Sequence, residues 1–520
     1  MARSMPNAPA ADGDFPPRPT GGLIAARNGR PPAWGLALAA VLAAQVLVAA
    51  ATPVLPEEAY HWNFARHLDW SYFDHPPMIA WAIALGRLVL GDTPLGVRLV
   101  PLLFALGTAW LLGRMARRLY GETAARWAVL LYALQPAAFF VGGWGFPDSP
   151  VLFYWALTLT WVWQALDSGK GRWWLAAGAA LGGGMLSKYT AAFLVPSVLL
   201  YLLTSRRDRR WLATPWPYLA GACSLLVFTP VLYWNWIHDW ASFRFQSTAR
   251  FAAADALSLR AGVQGAVEQW LFILPLTLPL GGLALWRAAR SGRPAEWFLF
   301  CAFAPMAAFF FVLGWTPSFH LLWPLPAYLA LTVAMAGALA EAPGRLAGLY
   351  RARWPWLAGA AACWTVAVAL HAACVLPWAL PLRETYGWGG AARRARAVRA
   401  TLPADSFYLA VGIRPYPAPS QLAFHLDDPA DVYGLNLLGL RSLQYRYWAR
   451  PDRLAGKDAV VVVEGGDSTG QVREILGSFF QSVEPADDWR APVGRFAALP
   501  RRSLHFTLYR AHGYRPPPGS

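Results

Sequence analysis

The chain has 520 residues, of which 56% are hydrophobic and only 14% are charged, whereas soluble globular proteins carry about 25% charged residues. Uncharged runs at residues 33–55, 127–147 and 297–340 reach the roughly 20 residues that a bilayer-spanning helix needs. A soluble fold is therefore excluded. The formal net charge of +16 does not indicate nucleic-acid binding, because the basic residues lie between the apolar runs instead of on one face.

The first residues, 1–32, are rich in Pro, Gly and Ala and predict a disordered cytoplasmic lead. The apolar run that follows begins too late and is too long for a cleaved signal peptide. The cysteines lie inside apolar runs without metal-site spacing, so we interpret them as small core residues. They are Cys223, Cys301, Cys363 and Cys374.

Residues 33–382 predict a transmembrane domain with eleven helical spans. The predicted spans are 34–53, 95–113, 124–142, 149–166, 173–187, 190–205, 213–236, 268–286, 296–313, 319–340 and 355–377. An odd number of spans puts the two ends of the chain on opposite sides of the membrane.

The Lys and Arg residues between the spans predict the orientation. One side receives 20 of them and the other side 7, and the richer side is expected to be the cytoplasm. The N-terminus is then cytoplasmic, while the loops 54–94, 143–148 and 237–267 face outward. Residues 78–91 are apolar but short, and Arg87 interrupts them, so they predict an interfacial helix inside the first outward loop.

The tail, residues 383–520, predicts a small α/β domain outside the membrane. Strand-like runs occur at 407–413, 459–463 and 503–510, between turn-forming clusters. Helical patterns occur at 391–401 and 470–480.

The first outward loop is the densest cluster of chemically reactive side chains. Its segment 56–77, PEEAYHWNFARHLDWSYFDHPP, holds four carboxylates and three histidines among aromatics. Glu57 and Glu58 follow the first span directly, where one side of a carboxylate is desolvated and a lipid head group is close. The alternative is an interfacial aromatic belt with solvated charges.

The other outward loops add one carboxylate and several cations. Asp148 lies in GGWGFPDSP, where it is either a second carboxylate at the same membrane face or a helix cap. Lys188 borders two apolar runs and is either functional or a snorkelling lysine. Arg244 and Arg250 suit a phosphate ligand, although anchoring at the interface explains them equally well.

These motifs resemble a known family in their order along the chain. An acidic pair followed by AYHW and LDWSYFDHPP, then FPDSP, LSKYT and PVLYWNWIHDWASFRFQ, is similar to the bacterial membrane glycosyltransferases of the protein-O-mannosyltransferase-like superfamily. These enzymes have the GT-C fold and include the family 39/83 enzymes and the aminoarabinose transferases that modify lipid A. The resemblance covers roughly residues 35–340 and extends weakly to QYRYW (444–448).

The resemblance implies a site as well as a fold. The family's catalytic carboxylate corresponds to Glu57, where the family more usually has Asp, so that either Glu57 or Glu58 is the base. Asp148 corresponds to the family's second-loop Asp. Asp74 and His75 fall where lipid A transferases carry an acidic and a basic residue near metal or phosphate. The resemblance therefore leaves open whether the protein uses a divalent metal cofactor. The residues assigned to substrate binding are Tyr60, Asp74, His75, Lys188, Arg244 and Arg250.

The implied reaction moves a hexose or pentose from a polyprenyl-phosphate donor to lipid A or lipopolysaccharide, a polysaccharide or a protein, outside the bacterial cytoplasmic membrane. The phosphate is a good leaving group, so the acceptor hydroxyl needs a base and the phosphate needs cations. Direct displacement would invert the anomeric centre.

The alternatives are a flippase or other transporter of lipid-linked sugars and an assembly scaffold that binds through its tail. A transporter should carry polar or broken helices at the bilayer midplane, whereas the charges here cluster in outward loops.

The predicted topology can be tested with reporter fusions. We expect fusions after residues 118, 208 and 290 to report cytoplasm, and fusions after residues 148, 250 and 450 to report the outside, because that arrangement keeps the basic loops inside. A cytoplasmic signal at 450 would mean that the number of spans is wrong by one.

Overall fold

The computed structural model describes residues 33–249, 258–272, 277–316, 322–341, 345–372, 385–426, 431–492 and 503–517. Up to residue 372 the described chain is almost entirely helical. Its α-helices are α1 (Ala33–Ala51), α2 (Pro56–Arg66), α3 (Met78–Leu90), α4 (Pro94–Tyr120), α5 (Glu122–Leu134), α6 (Pro136–Gly143), α7 (Asp148–Ser168), α8 (Arg172–Ser187), α9 (Leu194–Thr204), α10 (Trp216–Val227), α11 (Thr229–Ile237), α12 (Ala241–Arg244), α13 (Leu259–Phe272), α14 (Leu278–Arg290), α15 (Pro294–Leu313), α16 (Leu325–Glu341) and α17 (Arg345–Ala372). Short 3₁₀ and π turns occur at Tyr189–Phe193, Asp208–Ala213 and Phe245–Ala249.

Few of these helices could cross a membrane alone. Among the described residues, two helices, α4 and α15, have the length and apolar composition of a span. Three pairs of helices pass the same test together but bend by 75°, 71° and 52° at a short break, which allows up to five spans. The count of eleven spans therefore stays a prediction.

The bends coincide with prolines. α2 and α6 each begin with a proline, and α11 has Pro230 at its second position. Proline is well tolerated in the first turn of a helix because no intrahelical partner needs its N–H there, but it cannot continue a preceding helix.

The first outward loop contains two helices. The predicted interfacial helix corresponds to α3 and exposes Leu88 and Val89. α2 was not predicted as a helix, because its sequence PEEAYHWNFAR alternates polar and aromatic residues without an apolar stripe. Buried polar residues lie along α2, which explains the missing amphipathic pattern.

The tail contains a five-stranded sheet in the order β2-β1-β3-β5-β4. β1 is parallel to β2 and β3, while β5 is antiparallel to β3 and β4. The three predicted strands are confirmed as β1, β3 and β5, and the two predicted helices as α18 and α22. The elements of the tail are α18 (Trp388–Arg399), β1 (Phe407–Val411), α19 (Pro417–His425), β2 (Val432–Tyr433), a 3₁₀ turn (Leu435–Leu438), α20 (Tyr445–Trp448), α21 (Pro451–Leu454), β3 (Ala459–Glu464), α22 (Gln471–Gly477), β4 (Ser482–Pro492) and β5 (Ser503–His512).

Each face of this sheet carries its own apolar cluster. On β1, Tyr408 and Ala410 pack with α18 and α19, while Phe407 and Leu409 pack with α22 and Tyr514. The alternation follows from the two-residue period of a strand. The predicted domain boundary at 382–383 lies outside the described residues.

The tail is docked onto the first outward loop, where α19 packs against α2. Gln421 Nε2 donates to the Val54 carbonyl at 2.8 Å, and Asn63 Nδ2 donates to the Tyr445 hydroxyl at 3.2 Å. Both contacts are buried, so they fix the tail against the start and the middle of α2.

Candidate active site

The bend between α1 and α2 is held by a buried ion pair. Arg98 of α4 binds both oxygens of Glu58, with Nε to Oε1 at 2.7 Å, and neither side chain is exposed. The same guanidinium donates to the carbonyls of Ala49, Thr52 and Pro53 at 2.6–2.8 Å. Arg98 therefore satisfies the Ala49 carbonyl in the last turn of α1, which has no partner inside the helix, and the carbonyls of the two residues that follow the helix.

Glu58 also fixes the second outward loop. Its carboxylate accepts the N–H of Leu55, three residues before it, at 2.9 Å, and the N–H of Gly145 at 2.7 Å. The Gly145 carbonyl in turn accepts the Nδ1–H of His61 at 3.0 Å. Two side chains on successive turns of α2 thus bind the N–H and the carbonyl of Gly145, which lies three residues before Asp148.

Asp148 pairs with Lys188. It is the first residue of α7, which packs on α4 through a 2.6 Å bond from the Ser149 hydroxyl to the Pro101 carbonyl. Lys188 directly follows α8, and its Nζ donates to Asp148 Oδ1 at 2.6 Å. The N-cap position of α7 is occupied by Pro147 and Asp148 is the first helical residue, so the helix-cap interpretation is not supported.

These side chains meet in a cavity of about 200 Å³. Most of its polar lining consists of predicted site residues, and the remainder is aromatic and aliphatic. The lining residues are Glu57, Tyr60, Asp74, His75, Phe146, Pro147, Asp148, Lys188, Phe245, Leu322, Trp323, Tyr416 and Leu443. Glu57 is half-buried there. We call this space the polar cavity.

The tail forms one wall of the polar cavity. The Tyr60 hydroxyl donates to Asp74 Oδ1 at 3.1 Å and accepts the N–H of Gln444 at 3.0 Å. Tyr416 stacks on the Tyr60 ring at 4.6 Å. Leu443 has a φ of +47°, a left-handed conformation that a branched side chain rarely adopts, and such strained residues cluster at functional sites.

A second cavity of about 190 Å³ adjoins the first and is mostly apolar. The two share Asp74, His75, Lys188 and Trp323. The other lining residues are Pro76, Tyr189, Thr190, Phe193, Gln246, Phe309 and Phe310. We call this space the aromatic cavity.

The loop that carries Asp74 is itself rigidly held. Burial raises the pKa of the Tyr72 hydroxyl well above its usual range, so this group stays protonated and donates to the Phe64 carbonyl at 2.9 Å. The Tyr72 ring stacks on Phe64 at 4.1 Å. Gln246 Nε2 donates to the Asp74 carbonyl at 2.8 Å, which ties the loop to the third outward segment.

The structure brings together six of the nine predicted site residues and leaves two apart. Glu57, Tyr60, Asp74, His75, Asp148 and Lys188 line the polar cavity. Glu58 points away into its ion pair with Arg98, and Arg244 is exposed and lines neither described cavity. Arg250 lies outside the described residues.

Sequence reasoning missed several residues that build the site. Arg98 lies in the long apolar first part of α4, and an ionisable residue in such a place is a recognisable signal. His61 belongs to the first-loop cluster, but the sequence pattern assigns it no role. Tyr416, Leu443 and Gln444 come from the tail, and no local pattern connects them with the loop.

We expect Glu58→Gln to destabilise the protein by about 3–5 kcal/mol, because it leaves the buried Arg98 charge unpaired. Thermal unfolding of the purified protein in detergent would measure the loss, with Glu57→Gln as the matched control that should unfold near the wild-type temperature. Replacing both partners, Glu58→Leu with Arg98→Leu, should recover part of the stability. Equal unfolding temperatures for Glu58→Gln and Glu57→Gln would contradict this interpretation.

Comparison with known sequences supports the resemblance. Residues 74–234 match the family model of dolichyl-phosphate-mannose-protein mannosyltransferases. An undecaprenyl phosphate-alpha-4-amino-4-deoxy-L-arabinose arabinosyl transferase of Pseudomonas aeruginosa (strain UCBPP-PA14) is 30% identical over 305 residues, which are 54% of this chain and 52% of that protein. The lipid A galacturonosyltransferase RgtD of Rhizobium johnstonii is 26% identical over 242 residues, 46% of this chain and 51% of that protein. The chain thus spans about half the length of these relatives.

Solved structures share the fold over nearly the whole chain. ArnT from Cupriavidus metallidurans, bound to undecaprenyl phosphate, matches with a TM-score of 0.62 at 17% identity, covering 91% of this chain and 97% of that one. The arabinofuranosyltransferase AftD from mycobacteria matches with a TM-score of 0.53 at 16% identity, covering 92% of this chain and 40% of that one. The chain therefore shares the fold of these GT-C membrane enzymes, and part of its sequence is similar to the mannosyltransferase family model and to transferases of the lipid A aminoarabinose type.

Proposed function

We propose that the protein transfers a sugar from a polyprenyl-phosphate donor to an acceptor on the non-cytoplasmic face of the bacterial inner membrane. The observation that carries this proposal is the pair of adjoining cavities that share Asp74, His75, Lys188 and Trp323. One cavity is lined by carboxylates and the other by aromatic rings, which suits a substrate with a sugar phosphate at one end and a hydrocarbon chain at the other.

The donor phosphate is expected at the junction of the cavities. Lys188 lies there, oriented by its 2.6 Å bond to Asp148, and can bind the oxygens of the departing phosphate. Phe193, Phe309 and Phe310 would then contact the first isoprene units. The names of the relatives support this class of donor, since the P. aeruginosa transferase is named for undecaprenyl phosphate.

Glu57 is the proposed base that takes the proton of the acceptor hydroxyl. It lines the polar cavity, and a carboxylate can serve as a base when a good leaving group makes a strong acid unnecessary. Glu58 is the weaker candidate, because both of its oxygens are engaged by Arg98 and backbone N–H groups. Tyr60, Asp74 and His75 are assigned to binding the sugar and the phosphate.

The acceptor is proposed to be lipid A or another lipopolysaccharide component. The lipid A galacturonosyltransferase RgtD among the relatives favours this class over a polysaccharide or a protein. The tail is proposed to lie outside the membrane, because Tyr416 and Leu443 line the same cavity as the outward loops. Arg244 and Arg250 are not needed for this arrangement.

A reconstituted assay tests the function against the transporter alternative. Purified protein in proteoliposomes is supplied with an undecaprenyl-phosphate sugar and lipid A, and transfer is followed by mass spectrometry of the lipid product. We expect transfer with inversion at the anomeric carbon, read by NMR, because a direct displacement proceeds from the opposite face. Translocation of the donor without transfer would overturn the proposal, and a retained configuration would exclude direct displacement.

We expect Glu57→Gln to lower turnover by about 10²–10⁴-fold while the donor still binds, because the amide cannot accept a proton. Glu57→Asp should keep substantial activity, since Asp is the commoner residue of the family at this position. Asp148→Asn should also be severe, because it removes the charge that orients Lys188.

Asp69→Asn is the matched control for these variants. Asp69 belongs to the same loop but does not line the polar cavity. Its carboxylate accepts the indole N–H of Trp234 at 3.0 Å, and the amide oxygen of Asn can accept the same hydrogen bond. Its activity should stay within a few-fold of wild type. Full activity in a normally folded Glu57→Gln protein would exclude the carboxylate mechanism.

A further inference from the structure

The last turns of α4 and the start of α5 line another cavity, of about 230 Å³. Its lining is rich in arginine: Arg114, Arg117 and Arg126 contribute three guanidinium groups, and Glu122 contributes the one carboxylate of the described lining. The other lining residues are Trp110, Gly113, Ala125 and Val129. We call this space the arginine cavity. Its excess of positive charge indicates an anionic ligand.

The arginine cavity lies at the opposite end of α4 from the polar cavity. Arg98, near the start of α4, pairs with Glu58, and Arg114 lies sixteen residues further along the same helix. At 1.5 Å per residue this separation is about 24 Å, close to the roughly 30 Å thickness of the hydrocarbon core. α4 is also one of the helices that are long and apolar enough to cross a membrane. We therefore expect the arginine cavity at the other membrane surface, which is the predicted cytoplasmic side.

The two helices approach each other closely beside the arginine cavity. Gly113 of α4 makes this possible, because a Cβ at this position would lie 2.8 Å from Val129 Cγ2 of α5, closer than real Cβ contacts allow. Gly113 and Ala125 also occupy little volume, so they leave room between the helices. The three arginines line that room.

One carboxylate is shared between two of the arginines. Arg117 and Arg126 pair with Glu122 at 2.7 Å and 3.6 Å, and all three side chains are at least half exposed. Exposed ion pairs contribute little free energy, so a phosphate can displace Glu122 at low cost. Arg114 lies over the Trp110 ring, 5.5 Å from its centroid, and forms no ion pair among the described residues. Arginine binds phosphate oxygens through two parallel N–H groups.

An exposed apolar stripe runs along α4 from the arginine cavity. Leu103, Leu106 and Trp110 are 57%, 44% and 60% exposed, and with Arg114 they recur every three to four residues, which puts them on one helix face. From Leu103 to Arg114 the stripe measures about 16 Å, roughly half the thickness of the hydrocarbon core. Trp110 lies between the leucines and the charges, as tryptophans do at the level of lipid head groups. The ligand is therefore expected to carry an acyl chain as well as a negative charge.

We propose that the arginine cavity binds the phosphodiester head group of an anionic phospholipid, whose acyl chain lies along the stripe of α4. Basic pockets between transmembrane helices on the cytoplasmic side are typical sites for such head groups. A soluble phosphate compound would leave the stripe unused, and a zwitterionic lipid would add a cation to the existing excess of positive charge. The inference is independent of the proposed function, because the arginine cavity shares no residue with the polar or the aromatic cavity.

The first experiment compares ligands on the intact protein. The full-length protein is purified in detergent, delipidated and titrated with phosphatidylglycerol, with phosphatidylcholine of the same acyl chains and with glycerol phosphate, and binding is read by native mass spectrometry. We expect phosphatidylglycerol to bind at least tenfold more tightly than the other two, because it alone combines a net negative charge with acyl chains. Equal affinity for the two lipids would overturn the proposal. Glycerol phosphate that binds as tightly as phosphatidylglycerol would overturn it in favour of a soluble ligand.

Variants matched in charge locate the site. The double variant Arg114→Gln with Arg126→Gln should weaken phosphatidylglycerol binding at least tenfold, since each arginine beside an anionic head group adds to the affinity. Arg206→Gln with Arg209→Gln is the matched control, because these two exposed arginines lie on the predicted cytoplasmic side but do not line the arginine cavity. The control should stay within about twofold of wild type. An equal loss in both double variants would indicate binding by general surface charge and would overturn the proposal.

Glu122→Gln keeps the test valid if the arginine variants fold poorly. It removes the carboxylate that competes with the phosphate for Arg117 and Arg126, so phosphatidylglycerol should bind at least threefold more tightly, a gain that misfolding cannot produce. Thermal unfolding with and without the lipid checks the fold of each variant, and the lipid should raise the unfolding temperature of wild type, because it binds the folded state. Unchanged or weaker binding by folded Glu122→Gln protein would contradict the proposed site.

Discussion

The buried pair of Glu58 and Arg98 determines the arrangement of everything around the polar cavity. A charge inside a membrane protein is costly unless it is paired and its remaining hydrogen-bonding groups are satisfied. Here Arg98 binds the Ala49 carbonyl at the end of α1 as well as Glu58, and Glu58 binds the N–H groups of Leu55 and Gly145 as well as Arg98. One ion pair thus joins two helices and two loops. It thereby positions the segments that carry the two candidate carboxylates, Glu57 and Asp148.

The adjacent residues Glu57 and Glu58 differ in environment because of helical geometry. Successive residues of an α-helix point about 100° apart, so one carboxylate faces the cavity while its neighbour faces α4. The acidic pair in the sequence therefore combines a group that lines the polar cavity with a group that anchors the segment. The sequence alone left these roles open, because both residues precede the same aromatic motif.

The sequence indicated several side chains that the structure brings together, but not all of the elements that position them. The first loop, Asp148 and Lys188 were recognisable because charged residues are rare between apolar runs and stand out there. α2 was not recognisable as a helix, since its buried face is polar and its periodicity is hidden. The contributions of Tyr416 and Gln444 depend on contacts across more than 350 residues with Tyr60, and no single-sequence pattern reports such a contact.

Under the proposed function, the aromatic cavity has a consequence for how tightly a polyprenyl-phosphate lipid would bind. Phe309, one of its lining residues, keeps 44% of its surface exposed. A polyprenyl chain that enters sideways exchanges contacts with acyl chains for contacts with rings, and lipid is as apolar as a protein interior. The chain therefore adds little net free energy of association. Selectivity among polyprenyl lipids would rest on the head group, and chain length would be tolerated.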